Sequence, residues 1–385
     1  MTSQALVDLT PLLRLALLGV VLALGPLAWV WLRHRGGEPG SRLRALTWLT
    51  LFLTFDLVLV GAFTRLTDSG LGCPDWPGCY GNASPVGAQA QIHAAQSAMP
   101  TGPVTHGKAW IEMLHRYLAT GVGVLITVLA IAAWVEVRKR RAALSPSWAT
   151  ATLAWVCVQG AFGALTVTMK LYPAIVTAHL LGGLALLVLL AVQAEAFVPR
   201  PLALPRGRHA LAWAVLALCV VQVALGGWVS TNYAVLACSD FPTCQGAWWP
   251  DMDFQHGFTV RRELGIGHDG AAIPFAALTA IHMTHRIGAA VVFVAIALLA
   301  WRLARGDAAQ RRFAVGLAAV AAWQFASGLG NVVLGWPLVA AVAHTGGAAA
   351  LITLLATLLA RAQRARRQLL STPAARPAPA TWARS

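Results

Sequence analysis

Four of the eleven histidines lie inside long apolar segments and recur in an internal repeat. An ionisable side chain is costly in such a segment and is by default a candidate for function. An imidazole nitrogen is a common metal ligand, and two imidazoles on opposite faces of an iron macrocycle complete a six-coordinate haem. The alternative is a histidine that only hydrogen-bonds a neighbouring helix. Recurrence at equivalent places of an internal repeat favours metal ligation; the four are His115, His179, His285 and His344.

The repeat covers most of the chain. The segment "IEMLHRYLATGVGVLITVLAI" from Ile111 matches "IHMTHRIGAAVVFVAIALLA" from Ile281, and "VTAHLLGGLALLVLL" from Val176 matches "AVAHTGGAAALITLL" from Ala341. Each copy therefore contributes two of the four recurring histidines, one from each matching segment. Two single residues of each copy also match, Gln159 with Gln324 and Gly61 with Gly226.

The two histidines of each copy are expected at a similar depth. His179 follows Pro173 by six residues and His344 follows Pro337 by seven, and both prolines mark the outer starts of their helices. At 1.5 Å per residue, each imidazole then lies about 10 Å below the outer surface. The first histidine of each copy also follows closely after a helix start, and glycines after the second leave room for a flat macrocycle. Each half is therefore predicted to bind one haem between two imidazoles.

Charged residues beside the histidines differ between the copies. Arg116 and Arg286 each follow the first histidine, and we expect them either to pair with haem propionates or to extend to the outer interface. Glu112 lies one helical turn before His115, and its counterpart is His282. The carboxyl is a candidate proton donor or acceptor, or else a group that favours the N-terminus of its helix. A di-iron site is rejected on ligand count, because the second copy has no Glu-x-x-His motif.

Each copy also carries a cysteine pair in a polar outer loop. "LGCPDWPGCYG" contains Cys73 and Cys79, and "LACSDFPTCQG" contains Cys238 and Cys244. Disulfides persist on the oxidising side of a bacterial membrane, so we predict Cys73–Cys79 and Cys238–Cys244 bonds; structural and redox-active roles are both open. The spacing and ligand number do not suit zinc. The other two cysteines, Cys157 and Cys219, are expected to be buried within helices.

The composition is that of a membrane protein. Of the residues, 58% are hydrophobic and 11% are charged, whereas soluble domains carry about 25% charged residues. Nine apolar runs are near or above the length that crosses a bilayer. Asp56 lies within the second of them, where an interhelical hydrogen bond and a proton path are both open. The predicted spans are 11–32, 45–63, 111–137, 148–168, 173–198, 209–230, 278–304, 313–334 and 337–360.

Basic residues show which side of the membrane each loop faces. Of the 29 Lys and Arg, 19 lie in five short stretches that alternate with poorly basic ones, so the net charge of +15 reflects the positive-inside pattern rather than nucleic-acid binding. This pattern predicts a bacterial inner-membrane protein with a periplasmic N-terminus and a cytoplasmic C-terminus. No basic region precedes the first span, so we expect a retained helix rather than a cleaved signal peptide. The basic stretches are 33–44, 138–141, 200–208, 302–312 and 361–367.

Together these features predict an all-α integral membrane protein of about nine helices, with two tandem four-helix bundles preceded by one extra helix. Because each copy has an even number of spans, the copies face the same way, as parallel repeats. The N-terminal bundle would occupy residues 45–208 and the C-terminal bundle residues 209–360. Residues 1–44 would form the extra helix and a basic cytoplasmic loop, and residues 361–385 a disordered cytoplasmic tail.

The combined motifs resemble the haem A synthase family of bacteria and mitochondria. The resemblance is carried, between about residues 45 and 360, by "GAFTRLTDSGLGCPDWPGCYG", "EMLHRYLATGVG", "VTAHLLGG", "LGGWVSTNYAVLACSDFPTCQG" and "HMTHR". It implies an oxidoreductase that oxidises the C8 methyl group of haem O to a formyl group, giving haem A for terminal oxidases. The first helix lies outside the resembling region.

The resemblance also implies a division of labour between the halves. His115 and His179 would flank the substrate haem O, with Glu112 essential nearby, whereas His285 and His344 would ligate a haem b cofactor. The first cysteine pair would contribute to activity. The implied partners are haem O, haem O synthase, oxidase assembly factors and membrane lipid, without nucleic acid; a homo-oligomer is left open.

Two other classes of function compete with this one. A non-catalytic di-haem b electron carrier, of the quinol-oxidising cytochrome b type, would need two equivalent sites, and the difference between Glu112 and His282 disfavours it. A transporter built from parallel repeats would have broken helices near the midplane, where Gly and Pro are not concentrated in this sequence.

Overall fold

The computed structural model describes residues 10–38, 40–139, 144–198 and 200–371. Within these residues nine helices are long and apolar enough to cross a membrane, so the prediction of a multi-pass helical membrane protein is confirmed. The helices are α1 (Thr10–Arg33), α2 (Ser41–Leu66), the short α3 (Gln89–Ala98), α4 (His106–Arg138), α5 (Pro146–Thr168), α6 (Pro173–Glu195), α7 (Arg206–Thr231), the short α8 (Phe254–Gly257), α9 (Phe275–Ala304), α10 (Ala308–Val333) and α11 (Leu338–Ser371).

Local signals fix where the histidine-bearing helices of the first half begin. The first backbone N–H groups of a helix have no intrahelical acceptor, so a preceding side-chain oxygen stabilises them. Thr105 Oγ1 accepts from the N–H of Lys108 at the start of α4 (3.3 Å). α6 begins with Pro173, whose lack of an N–H is harmless at that position. These starts set the depth of the side chains that follow.

The long helices pack as two groups of four. The N-terminal group consists of α2, α4, α5 and α6, and the C-terminal group of α7, α9, α10 and α11. The first and fourth helices of each group face the other group, since α11 contacts α2 and α6, and α7 contacts α6. α1 stands outside both groups and packs mainly on α4. The same helix order in both groups is what a duplicated unit with an even number of spans should give.

Each group has its own apolar core. Leu125, Leu129 and Leu190 are fully buried in the N-terminal group, and Leu299 and Leu317 in the C-terminal group. Since lipid tails are as apolar as leucine, close packing rather than exclusion from water stabilises these contacts within a bilayer.

An ion pair with a buried carboxylate joins the two groups at the end opposite the cysteine loops. Glu195 in α6 is 2% exposed and accepts hydrogen bonds from Nε and Nη2 of Arg361 in α11, at 2.8 and 2.9 Å. At the cysteine-loop end, Arg65 in α2 donates to the carbonyl oxygen of Ser230 in α7 (2.6 Å). Bidentate arginine–carboxylate pairing adds geometric specificity, so these contacts fix the groups relative to one another.

Two sequence-based expectations are wrong. α11 continues to Ser371, so the first part of the predicted disordered tail is helical, because Arg361 and Arg364 bind the N-terminal group; Arg364 donates to the carbonyl oxygen of Val198 (2.7 Å). The remainder, 372–385, lies outside the described residues. Cys157 is exposed rather than buried, because its face of α5 is not covered by another described helix.

Candidate functional site

The four histidines come from equivalent helices of the two groups. His115 lies in α4 and His179 in α6, whereas His285 lies in α9 and His344 in α11. The second and fourth helices of each group thus supply one imidazole each. The two imidazoles of a group are close enough to interact electrostatically. The structure therefore brings the members of each pair to one place.

Each imidazole lies against a glycine of a neighbouring helix, in α2, α5, α7 or α10. A Cβ atom added at any of these glycines would come within 3.0 to 3.4 Å of the histidine Cε1 atom. The glycines therefore allow the imidazole to approach bare backbone, which is a common reason for glycine at a site. The pairs, with that distance, are Gly61–His115 (3.1 Å), Gly163–His179 (3.4 Å), Gly226–His285 (3.0 Å) and Gly328–His344 (3.1 Å).

The two groups differ in the partners of the imidazole Nδ1 atoms. Nδ1 of His285 lies 2.9 Å from Nε2 of Gln222, and Nδ1 of His344 lies 3.0 Å from the hydroxyl of Ser327. In the N-terminal group both histidine Nδ1 atoms are buried and have no hydrogen-bond partner among the described residues. A buried polar atom without a partner costs about 1–3 kcal/mol. Such atoms are therefore rare, and one reason for keeping them is a functional role.

This set of nitrogen donors fits a haem held by two imidazoles. Six-coordinate haem iron takes one nitrogen on each face. Ligation through Nε2 leaves the proton of a neutral imidazole on Nδ1, where it needs an acceptor. The Ser327 hydroxyl donates to the carbonyl oxygen of Trp323 (2.8 Å) and so is available to accept from Nδ1 of His344. With the proton on Nδ1, the lone pair of His344 is on Nε2, as a metal ligand requires.

Glu112 and Arg116 fasten the first cysteine loop to α4. Glu112 is 3% exposed; its Oε2 accepts a hydrogen bond from the N–H of Cys73 (2.8 Å), and its Oε1 is paired with Arg116. Nη1 of Arg116 donates to the carbonyl oxygens of Gly78 (2.6 Å) and Asp75 (3.0 Å). The predicted catalytic carboxyl and the predicted propionate partner thus both contact the loop; their roles toward a haem stay predictions.

The second cysteine loop is fastened to α9 in a related way. Arg286 donates from Nη1 to the carbonyl oxygen of Asp240 (2.9 Å) and from Nη2 to that of Cys238 (3.1 Å). In place of the carboxylate, Nδ1 of His282 lies 3.0 Å from the carbonyl oxygen of Ala234. The second loop therefore lacks the buried ion pair that holds the first.

An aspartate two residues after the first cysteine closes each loop. Asp240 accepts hydrogen bonds from the hydroxyl of Thr243 (2.6 Å) and from the N–H groups of Gln245 (2.7 Å) and Gly246 (3.0 Å). These hydrogen bonds, that from Thr243 first, lower the pKa of Asp240 to about 2. Asp75 accepts from the corresponding two amides of the first loop, at 2.6 and 2.7 Å. Both predicted disulfides, Cys73–Cys79 and Cys238–Cys244, are present in these loops and are buried.

The sequence of the chain matches a known protein family. The family described as COX15-CtaA, cytochrome oxidase assembly protein, matches residues 44–356, a range that includes all four histidines. The chain belongs to this family. The matched range begins after α1, so the extra helix lies outside it.

Three individual relatives share the name "Heme A synthase". The chain is 37% identical over 320 residues to a "Heme A synthase" of Shewanella oneidensis, covering 81% of this chain and 95% of that protein. It is 31% identical over 328 residues to a "Heme A synthase" of Chelativorans sp., covering 79% and 87%. A "Heme A synthase" of Alkalihalophilus pseudofirmus is 29% identical over 222 residues, covering 55% and 67%. The resemblance stated from the motifs is therefore confirmed.

Sequence reasoning missed several residues of the site. The loop aspartates could have been found, because "CPD" and "CSD" stand at the same place in the two copies. Gln222 and Ser327 gave no such signal, because their counterparts in the first copy are Leu57 and Phe162. Asp56 lies partly buried in α2.

Proposed function

We propose that this protein is a haem A synthase, which oxidises the C8 methyl group of haem O to a formyl group and so produces haem A for terminal oxidases. The pairing of imidazoles from the second and fourth helices of each group carries the proposal. Two neighbouring imidazoles in an apolar bundle suit haem iron. Membership of the family and the name of the relatives support this reading over other haem proteins.

The two halves take different roles. His285 and His344 ligate a resident haem b, and His115 and His179 flank the substrate haem O. The difference between Glu112 and His282 supports this division, because a carboxyl beside only one pair suits the half in which protons leave the substrate. Arg116 and Arg286 contribute to the haem-binding regions by holding the two cysteine loops in place.

The chain supplies binding, orientation and a water-poor site, while the haem supplies the electron transfer when bound. The glycines behind the imidazoles set where each ring stands. The long apolar helices exclude water, and the first cysteine loop, tied to Glu112 and Arg116, covers one end of the N-terminal group. We assign to Glu112 the exchange of protons between the substrate site and that loop, since methyl oxidation releases protons as well as electrons.

The cellular location and the partners of the protein follow from the same proposal. The basic stretches support a periplasmic N-terminus and a cytoplasmic C-terminus in a bacterial inner membrane, with both disulfide loops on the oxidising side. Haem O is apolar and enters from the lipid. Partners are haem O synthase, as the source of substrate, and oxidase assembly factors, as acceptors of product. Nucleic acid is not among the partners, and a homo-oligomer is left open.

The deciding experiment is expression of the full chain in cells that make haem O but lack haem A. Pigments extracted from the purified protein are separated by chromatography. We expect haem b together with haem O and haem A. Haem b alone in both halves would support the di-haem electron carrier instead, and a colourless preparation would overturn the proposal.

Histidine variants test the assignment of the halves. H285A and H344A should lose haem b, whereas H115A and H179A should keep haem b and form no haem A. H93A, at an exposed histidine in α3, is the control and should match the wild type in both pigments. An unchanged haem b spectrum in H285A would show that the two sites are assigned the wrong way round.

A further inference from the structure

The groups behind the imidazoles differ between the halves, and we propose that this difference sets how long each half keeps its haem. Gln222 and Ser327 are positioning residues that make the C-terminal histidine pair a retaining site. The N-terminal pair, with Leu57 and Phe162 at the equivalent positions, is an exchanging site. The inference rests on the proposed function, because it assigns the resident cofactor and the exchanging substrate to different halves.

Ser327 holds His344 in the form that ligates a metal. Its hydroxyl donates to the carbonyl oxygen of Trp323 (2.8 Å), so toward Nδ1 of His344, 3.0 Å away, it acts as an acceptor. Nδ1 then carries the proton and Nε2 keeps its lone pair. A hydrogen bond of this kind fixes the tautomer and orientation of a ligating histidine and raises its basicity.

Gln222 can serve His285 in either tautomer. Its Nε2 donates to the carbonyl oxygen of His285 (2.9 Å) and lies 2.9 Å from Nδ1 of the same residue, while its Oε1 is buried without a partner among the described residues. When Nε2 of His285 ligates a metal, Nδ1 becomes a donor. A half-turn of the carboxamide then brings the unpartnered Oε1 to Nδ1 as its acceptor and gives up the hydrogen bond from Nε2 to the carbonyl oxygen of His285. Gln222 thus supplies the acceptor that a ligating His285 needs.

The N-terminal pair has no equivalent contact in the described part of the chain. Leu57 and Phe162 cannot accept a hydrogen bond, and Nδ1 of both His115 and His179 is buried and unpartnered. Those imidazoles are held only by packing, including the glycines behind them. Removing a hydrogen-bond partner of a metal ligand typically lowers metal affinity about 10–100-fold. A weaker hold suits a haem that must enter as substrate and leave as product.

The test measures haem loss from the full-length holoprotein in detergent, with excess apomyoglobin as the haem acceptor. Q222L and S327A should each release haem b about 10–100-fold faster than wild type. S327T keeps the hydroxyl and should restore the wild-type rate, and Q91L, at an exposed site in α3, is the control. The midpoint potential of haem b should also rise in Q222L and S327A, because a less basic imidazole stabilises ferric iron less. Wild-type rates and potentials in both variants would overturn the inference.

A reciprocal variant tests the other half. L57Q places a carboxamide one turn before Gly61 in α2, as Gln222 stands before Gly226 in α7. It should slow the release of haem A and leave more of it bound after purification; unchanged release would count against the inference. The two proposals fail separately. Normal haem A synthesis with unaltered haem b loss in Q222L and S327A sinks only this inference, whereas a wild-type protein that makes no haem A sinks the proposed function.

Discussion

The backbone N–H of Cys73 donates a hydrogen bond to Oε2 of Glu112 at 2.8 Å, so the first disulfide is tied to a residue one helical turn from His115. Arg116, paired with the same carboxylate, binds the other end of the loop through the carbonyl oxygen of Gly78. Loop position and imidazole position are therefore linked through α4. Glu112 therefore holds the first cysteine loop against α4, in addition to the proton exchange assigned to it.

Replacing Glu112 by alanine should abolish haem A formation and leave haem b bound. The change leaves Arg116 buried without its carboxylate, and breaking such a pair typically costs about 3–5 kcal/mol, so the N-terminal half should also lose stability. Pigment extraction and thermal unfolding measure the two effects. H282A, at the equivalent position of the second half, removes one neutral hydrogen bond and should be milder. Haem A made at the wild-type rate by E112A would remove Glu112 from the mechanism.

The folded structure of the second cysteine loop should persist in acid until well below neutral pH. The pKa of Asp240 is about 2, below its ordinary value of 3.8, so the stabilisation by its hydrogen bonds is fully present above pH 3.8 and is lost as pH falls toward 2. Amide hydrogen exchange at Gln245 and Gly246, corrected for the intrinsic rate, should stay slow down to about pH 4. D240N should lose this protection at every pH, and D251N, at an exposed aspartate, should not. Equal protection in D240N would show that other contacts hold the loop.

The fold was largely predictable because a bilayer restricts it. A span must be long, apolar and helical, so apolar runs marked the nine spanning helices of the described residues to within a few residues at every end but the last. The end of α11 was not predictable from the same signal. In the sequence Arg361 belongs to a basic stretch at the membrane surface, and its partner Glu195 lies 166 positions earlier. Only the packing of α6 on α11 reveals the pair.

The candidate site was predictable where the two copies agree and hidden where they differ. The repeat singled out the four histidines and the cysteine pairs, since these recur in both copies. It could not single out Gln222 or Ser327, because the first copy has apolar residues in their places. Likewise, Arg116 and Arg286 were visible beside the histidines, but their carbonyl partners depend on how the loops fold back over the helices.

The buried pair at the far end of the groups should contribute to the stability of the whole molecule. E195A leaves Arg361 without its carboxylate partner, and the expected loss is about 3 kcal/mol, the lower end for a broken buried pair because the arginine is 24% exposed. Thermal unfolding followed by haem b absorbance should show a lower midpoint. R367A, at an exposed arginine of the same helix, should leave the midpoint unchanged. A midpoint in E195A equal to that of R367A would show that packing alone joins the groups.

Gly226 should be necessary for haem b binding, because the imidazole of His285 lies directly against it. A Cβ atom there would lie 3.0 Å from Cε1 and 3.5 Å from Nδ1 of that ring, so G226A forces the imidazole to move by a few tenths of an ångström. The moved ring loses its alignment with Gln222, and the absorbance spectrum and occupancy of haem b should change.

Gly207 provides the matched control for this variant, because it lies in the same helix and a Cβ atom there would meet no neighbour within 4 Å. G207A replaces glycine with a better helix former and should be neutral or stabilising by up to about 1 kcal/mol. G61A, which presses on His115 at 3.1 Å, should lower haem A formation while the haem b spectrum stays unchanged. If G226A and G207A have the same haem b spectrum and occupancy, the glycine does not set the position of the imidazole, and the hydrogen bond to Gln222 alone must do so.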